Sequence, residues 1–269
     1  MSDPLVQAGL APFLAGFAVA LLLFKLRLGG LAAAAGFCTT AWLMGMLDIA
    51  YGTGRQRMVV LSLAAPALGL VADLAFRPGR TTAYISGVVF GAAALWVFSA
   101  SIMQKPPVPA FILGAGIVLF VAWTVAMTAS LHANSVRAGA AGLGLGGGVG
   151  AAILFGSLDA RLGMALGAAS AGFLLLQMMI GRIDAGLVFT LAVGVGAALL
   201  AAAELLAGRL GWTQLAILAA VPLAARLPLP TRWPVWAQTL FACFYTAACG
   251  GAAAATVYAA SGRLPSWLQ

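Results

Sequence analysis

The sequence predicts an all-α protein that crosses a membrane about ten times, and three observations support this prediction. Hydrophobic residues make up 63% of the 269 residues and charged residues only 7%, whereas soluble domains carry about 25% charged residues. The apolar residues form runs of roughly the 20 residues that a helix needs to cross a bilayer. Short breaks rich in Pro, Gly and basic residues separate these runs, and none is long enough for a soluble domain.

Each apolar run between two breaks is predicted as one helix. The breaks include "KLRLGG", "YGTGRQR", "RPGRTT", "QKPPVP", "HANSVR" and "RLPLPTRWP". The predicted helices cover residues 8–24, 30–51, 58–76, 83–103, 108–131, 138–156, 162–180, 185–207, 212–226 and 235–260. The ninth run is short and contains Pro222, which interrupts helical hydrogen bonding. Nine helices is therefore the alternative.

The net charge of +8 comes from basic residues that are dispersed singly or in pairs through the breaks. This pattern favours contact with membrane lipid and its anionic headgroups over binding of nucleic acid. Alternate breaks hold eight and six basic residues, and this bias predicts that both termini face the outside or periplasm. No basic segment precedes the first run, so we expect it to remain as a helix rather than be cleaved. We expect a protein of the bacterial inner membrane.

The stretch "AGLGLGGGVGAA" at 141–152 contains the spacing G-x-G-x-x-G of dinucleotide-binding loops. Those loops follow a buried strand in a soluble unit, whereas apolar helices flank this stretch on both sides. In lipid, small residues four apart let helix backbones approach closely. Two rows have this spacing: Gly142, Gly146 and Gly150, and Gly144 with Gly148. We therefore predict a helix-packing surface and no nucleotide cofactor.

The predicted helices divide into two halves of five, residues 1–131 and 132–269. Because each half has an odd number of helices, the two halves run in opposite directions across the membrane, as in inverted-repeat transporters. The number and length of the helices are similar to those of the drug/metabolite transporter superfamily, which implies ten helices in two inverted halves. This likeness is architectural and carries over no residue. The N-terminus, which lacks basic residues, departs from the cytoplasmic N-terminus of that family.

Two acidic residues occupy matching places in the third helix of each half. Asp73 and Glu204 lie 65 and 66 residues after the first helix of their half begins, and Arg77 and Arg209 follow them. Acids inside membrane helices are functional candidates by default, so we predict that Asp73 and Glu204 line a solute or ion pathway with the two arginines as partners. The alternative is that both acids lie at helix ends and only pair with the nearby arginine. Asp48 is a weaker candidate of the same kind.

The predicted function is therefore a transporter or channel for a small solute or ion. The alternative is a non-transporting membrane subunit or assembly protein, held by its glycine-rich faces to a membrane-protein partner or a second copy of itself. The chain has one histidine, His132, and three cysteines without a C-x-x-C motif. We expect no metal, no cofactor and no enzymatic activity, because metal sites and catalytic motifs need clustered ligands or nucleophiles.

Overall fold

The computed structural model describes residues 3–26, 28–46, 53–75, 78–153, 157–181, 183–230 and 232–261. These residues fold into ten α-helices, which is the predicted number. The helices are α1 (Ala11–Leu23), α2 (Ala32–Leu43), α3 (Gly54–Ala75), α4 (Arg80–Met103), α5 (Pro107–Ala129), α6 (Ser135–Ala152), α7 (Leu158–Ile180), α8 (Gly186–Leu206), α9 (Trp212–Ala224) and α10 (Val235–Ser261). A π-helical turn, Val6–Leu10, leads directly into α1.

Seven segments are long and apolar enough to cross a membrane. They are α1 with its flanking turns, α3, α4, α5, α7, α8 and α10. The chain is accordingly an integral membrane protein of the helical class. The helices α2 and α9 are shorter, and the many glycines of α6 lower its hydropathy, so the number of spans remains a prediction.

The end of α2 differs from the prediction. We predicted a helix to residue 51, but α2 ends at Leu43, because Gly45 adopts a left-handed φ of 67°. The Met46 amide then donates to the Ala41 carbonyl at 2.9 Å, which is the bond that closes a Schellman turn. Residues 47–52, which include Asp48, lie outside the described residues.

Helix α8 lies at the centre of the bundle, and nearly every one of its residues is buried. It packs against α3, α5, α6 and α7. Many of its residues are Ala or Gly, so neighbouring helices come close to its backbone. The ring of Phe189 packs against Phe173 of α7, with ring centroids 4.7 Å apart.

The first glycine row of α6 faces α7. Gly142 lies against the Ser170 side chain, and Gly150 lies against Met164. A Cβ atom at Gly146 would lie within 3 Å of backbone atoms of α7, among them the Gly167 amide nitrogen. The two helices therefore meet backbone to backbone at Gly146.

The second glycine row of α6 faces α10. A Cβ at Gly144 would meet the backbone and side chain of Thr246, and one at Gly148 would lie 2.8 Å from the Gly250 Cα. Both rows are thus covered by helices of this same chain.

The contacts within each half are partly alike. The first two helices pack together in each half, as do the last two, and α3 packs on α8 across the halves. However, α6 also packs closely on α10, whereas α1 and α5 make no contact of that extent among the described residues. The twofold relation between residues 1–131 and 132–269 therefore remains a prediction.

Candidate functional site

A cavity of about 600 Å³ lies at the end of the bundle where α4 and α8 end and α3 and α7 begin. Its charged lining residues are Arg55, Lys105, Asp159, Glu204 and Arg209. Ser101 and Gln104 add polar groups to the same wall. Because α3 and α4 belong to the first half and α7 and α8 to the second, the cavity lies between the two halves.

The two carboxylates of the cavity are buried, and each pairs with an arginine. Asp159 is 5% exposed and Glu204 is 1% exposed. Arg55 Nη2 lies 3.2 Å from Asp159 Oδ2, and Arg209 Nη1 lies 3.2 Å from each carboxylate oxygen of Glu204. Both carboxyl groups line the same cavity. The side chains of both arginines are about half exposed, 50% and 54%, so each pair reaches from the cavity floor towards its mouth.

The pair at the end of α8 depends on a left-handed glycine. Gly208 has φ 72° and ends the helix, and its amide donates to the Leu205 carbonyl at 3.0 Å. The Arg209 amide donates to the backbone carbonyl of Glu204 at 2.9 Å. A continued helix would carry residue 209 to a different face from residue 204, since residues five apart do not share a face. The reversal at Gly208 instead returns the Arg209 side chain to the Glu204 carboxylate.

The other carboxylate lies in the first turn of α7. Ser157 caps this helix, and its hydroxyl accepts a hydrogen bond from the Ala160 amide at 3.0 Å. Asp159 therefore lies at the positive end of the helix dipole, which stabilises a negative charge there. No donor among the described residues reaches Asp159 Oδ1. Since a buried acceptor without a partner is costly, this oxygen is suited to accept a bond from a group that enters the cavity.

The cavity has an excess of positive charge, because its described lining holds three cationic side chains and two carboxylates. Lys105 follows α4, is exposed, and has no carboxylate of the described residues within ion-pair distance. A cavity of this kind attracts an anionic group to its mouth. Among the described residues, no group of three or more His, Cys, Asp or Glu side chains could hold a metal ion.

Asp73 lies outside this cavity and caps the start of α8. Its two carboxylate oxygens accept hydrogen bonds from the amides of Leu187 and Val188, both at 3.0 Å. One turn earlier in α3, Gly69 allows the backbones to meet, because a Cβ there would lie 2.7 Å from the Val188 Cα. These contacts show Asp73 joining α3 to the first turn of α8.

The structure does not bring the two predicted acids together. Asp73 lies at the first turn of α8 and Glu204 at the last, so roughly 25 Å of helix separates them at 1.5 Å per residue. Of the predicted partners, Arg209 lies beside Glu204, and Arg77 lies outside the described residues. A role of Asp73 in a solute pathway remains a prediction.

Sequence reasoning did not select Asp159, Arg55 or Lys105 as site residues. One signal was present for Asp159, since it is one of only six acids in the chain and lies at the edge of an apolar run. No such signal exists for the two basic residues, because basic residues occur in most of the breaks.

No family model, curated protein or solved structure gives a significant match to this chain. The class of this protein is therefore assigned from its fold and its site. It is a helical integral membrane protein with a charged cavity between its first and second five helices.

Proposed function

We propose that the protein transports a small solute or ion across the membrane and binds it in the cavity between the two halves. The observation that carries this proposal is the position of Asp159 and Glu204, two buried carboxylates in a cavity to which both halves contribute helices. Acids buried in membrane helices are costly to maintain and commonly belong to substrate or ion pathways. In inverted-repeat transporters, the two halves move against one another around a site that lies between them.

The chemistry of the cavity allows an entering group to replace an arginine as the partner of a buried carboxylate. Each carboxylate has an arginine that is about half exposed, so an entering cation or proton donor can replace it without leaving a buried charge unpaired. Lys105 offers a positive charge at the mouth. The site therefore suits a proton, or a solute that combines a cationic group with an anionic one.

The alternative of a non-transporting assembly subunit has less support. Its motivation is the glycine-rich surface of α6, which would hold a membrane-protein partner or a second copy. In the described residues, α7 and α10 cover both glycine rows. That surface is already used within the chain, and we therefore favour transport.

We also propose that the protein resides in the bacterial inner membrane with both termini in the periplasm. In that orientation the cavity opens to the periplasm, because it lies at the same end of the bundle as the start of α1, which contacts the start of α7 through the Gln7–Arg161 hydrogen bond of 2.9 Å. A C-terminal reporter that is active only in the cytoplasm should be silent. An active reporter would contradict this orientation.

Transport can be tested with the purified protein in lipid vesicles. Proton flux is followed with an enclosed pH-sensitive dye, and uptake of radiolabelled glycine, glutamate and lysine is measured as a set of small charged probes. We expect the parent to move at least one probe faster than protein-free vesicles. Glu204→Gln and Asp159→Asn should each lower that flux by about tenfold or more, because an amide cannot replace a carboxylate that binds a proton or a cation.

Asp73→Asn is the matched comparison, since it makes the same chemical change at the other end of α8. We expect it to leave the flux per folded molecule unchanged, and a loss of flux would instead support the sequence prediction for Asp73. The transport proposal is wrong if no probe moves faster than in protein-free vesicles, or if both cavity variants keep the parental flux.

A further inference from the structure

A second cavity of about 420 Å³ adjoins the first on the outer side of the bundle. Its apolar walls come from Pro109, Ile112 and Leu113 of α5 and from Trp212 at the start of α9. We call this cavity the α5 groove. It shares two lining residues with the charged cavity, Lys105 and Leu206. The two cavities are therefore adjacent, and the apolar groove lies beside the charged cavity.

The α5 groove has the direction of a lipid chain in a bilayer. Lys105 lies in the connection before α5, and the apolar wall lies within the first two turns of that helix. Because each residue advances the helix by 1.5 Å, the groove begins near the membrane surface and runs towards the bilayer centre. Trp212 borders it at the depth where tryptophan side chains prefer to lie. Ile112 is 62% exposed, so the groove is open to lipid.

Gly116 leaves room for the Trp212 indole, which forms one wall of the α5 groove. A Cβ at Gly116 would lie 2.9 Å from the indole Cζ3 atom and closer still to its neighbour Cη2. The absence of a side chain at Gly116 thus lets the indole lie against α5. The groove is bounded by a rigid aromatic ring rather than by a flexible chain.

We infer that the α5 groove binds a bilayer lipid with an anionic headgroup, which lies beside the charged cavity. This inference adds a lipid-binding site to the proposed transport site and does not depend on the solute that is transported. The headgroup pairs with Lys105, the cation that gives the cavity its positive excess, and an acyl chain stays in the groove. Charge complementarity supports this occupant over a zwitterionic lipid, because Lys105 forms no ion pair with a carboxylate of the described residues.

Native mass spectrometry of the whole protein in detergent tests this inference. The protein is titrated with phosphatidylglycerol, with phosphatidylcholine of the same chain length, and with glycerol phosphate. We expect one site that prefers phosphatidylglycerol over phosphatidylcholine by roughly fivefold, the factor expected for one basic residue near an anionic headgroup. Lys105→Ala should remove the preference, and Lys25→Ala, which neutralises an exposed lysine at the other end of the bundle, should keep it.

A second variant tests the apolar wall of the α5 groove separately from the charge of Lys105. Leu113→Trp fills the apolar wall, so it should weaken phosphatidylglycerol binding while leaving the affinity for glycerol phosphate unchanged. Equal binding of the two lipids by the parent would show ordinary lipid contact and overturn the inference. The inference would also be overturned if glycerol phosphate bound as tightly as the lipid, because the ligand would then be a soluble phosphate. If flux depends on Glu204 while no lipid preference is found, this inference fails and the transport proposal stands.

Discussion

Replacing Gly146 by alanine adds one methyl group at the closest approach of α6 and α7. The new carbon would lie 2.9 Å from the Gly163 carbonyl oxygen and nearer to the Gly167 amide nitrogen, whereas ordinary contact begins at 3.4 Å. Both neighbours are backbone atoms, so no rotamer change relieves the clash, and the helices must separate by at least half an ångström. A gap of 0.5–1 Å removes a quarter to a half of each contact energy along the interface. We expect the free energy of unfolding to fall by about 2 kcal/mol, in the usual range for overpacking.

The neighbouring glycine provides the control. A Cβ at Gly147 meets nothing within 4 Å, so Gly147→Ala makes the same change in helix propensity without a clash. Unfolding of both variants in detergent, titrated with sodium dodecyl sulfate and followed by circular dichroism, compares their midpoints directly. Equal midpoints for Gly146→Ala and Gly147→Ala would refute the packing argument. The larger variant Gly146→Leu should reduce the amount of protein that accumulates in the membrane.

Two further stability predictions use the same unfolding assay. Asp73→Ala removes the acceptor of two helix amides and should lower the free energy of unfolding by about 2 kcal/mol, the upper end for a lost helix cap; parental stability would contradict the capping role. Gly208→Ala places a side chain in the left-handed region at a cost of about 1–2 kcal/mol, and it should also loosen the Arg209–Glu204 pair. Gly251→Ala, which lies inside α10 and whose Cβ meets nothing within 4 Å, is its control and should be at least as stable as the parent, because alanine favours a helix interior over glycine.

The helices were predictable because their signal is local. Twenty apolar residues between two charged breaks leave few choices to a chain in lipid, since every backbone amide must be bonded within its own segment. The missed end of α2 has a local cause too. Gly45 stands inside an apolar run that continues to residue 50, and sequence periodicity alone does not show which glycine adopts a left-handed φ.

The site was predictable only where its residues are neighbours in sequence. Glu204 and Arg209 lie five residues apart, and their pairing follows from one turn of chain. Arg55 and Asp159 are 104 residues apart, and the first turns of α3 and α7 meet only through the packing of the whole bundle. Hydropathy describes which segments cross the membrane but carries no information on which helices become neighbours.

The separation of Asp73 and Glu204 is what the predicted inverted repeat would produce. In two halves of opposite direction, matching residues near the ends of matching helices must lie near opposite surfaces of the membrane, and only residues at the bilayer midplane can meet. The antiparallel packing of α3 on α8 shows the consequence, because each acid lies beside the first turn of the other helix. Asp73 joins the end of α3 to the start of α8 by accepting hydrogen bonds from two amides of α8. Glu204 at the other end faces Gly54 and Arg55 of α3 across an open cavity. Asp73 thus fastens two helices at one end of the bundle, whereas Glu204 borders an open cavity at the other.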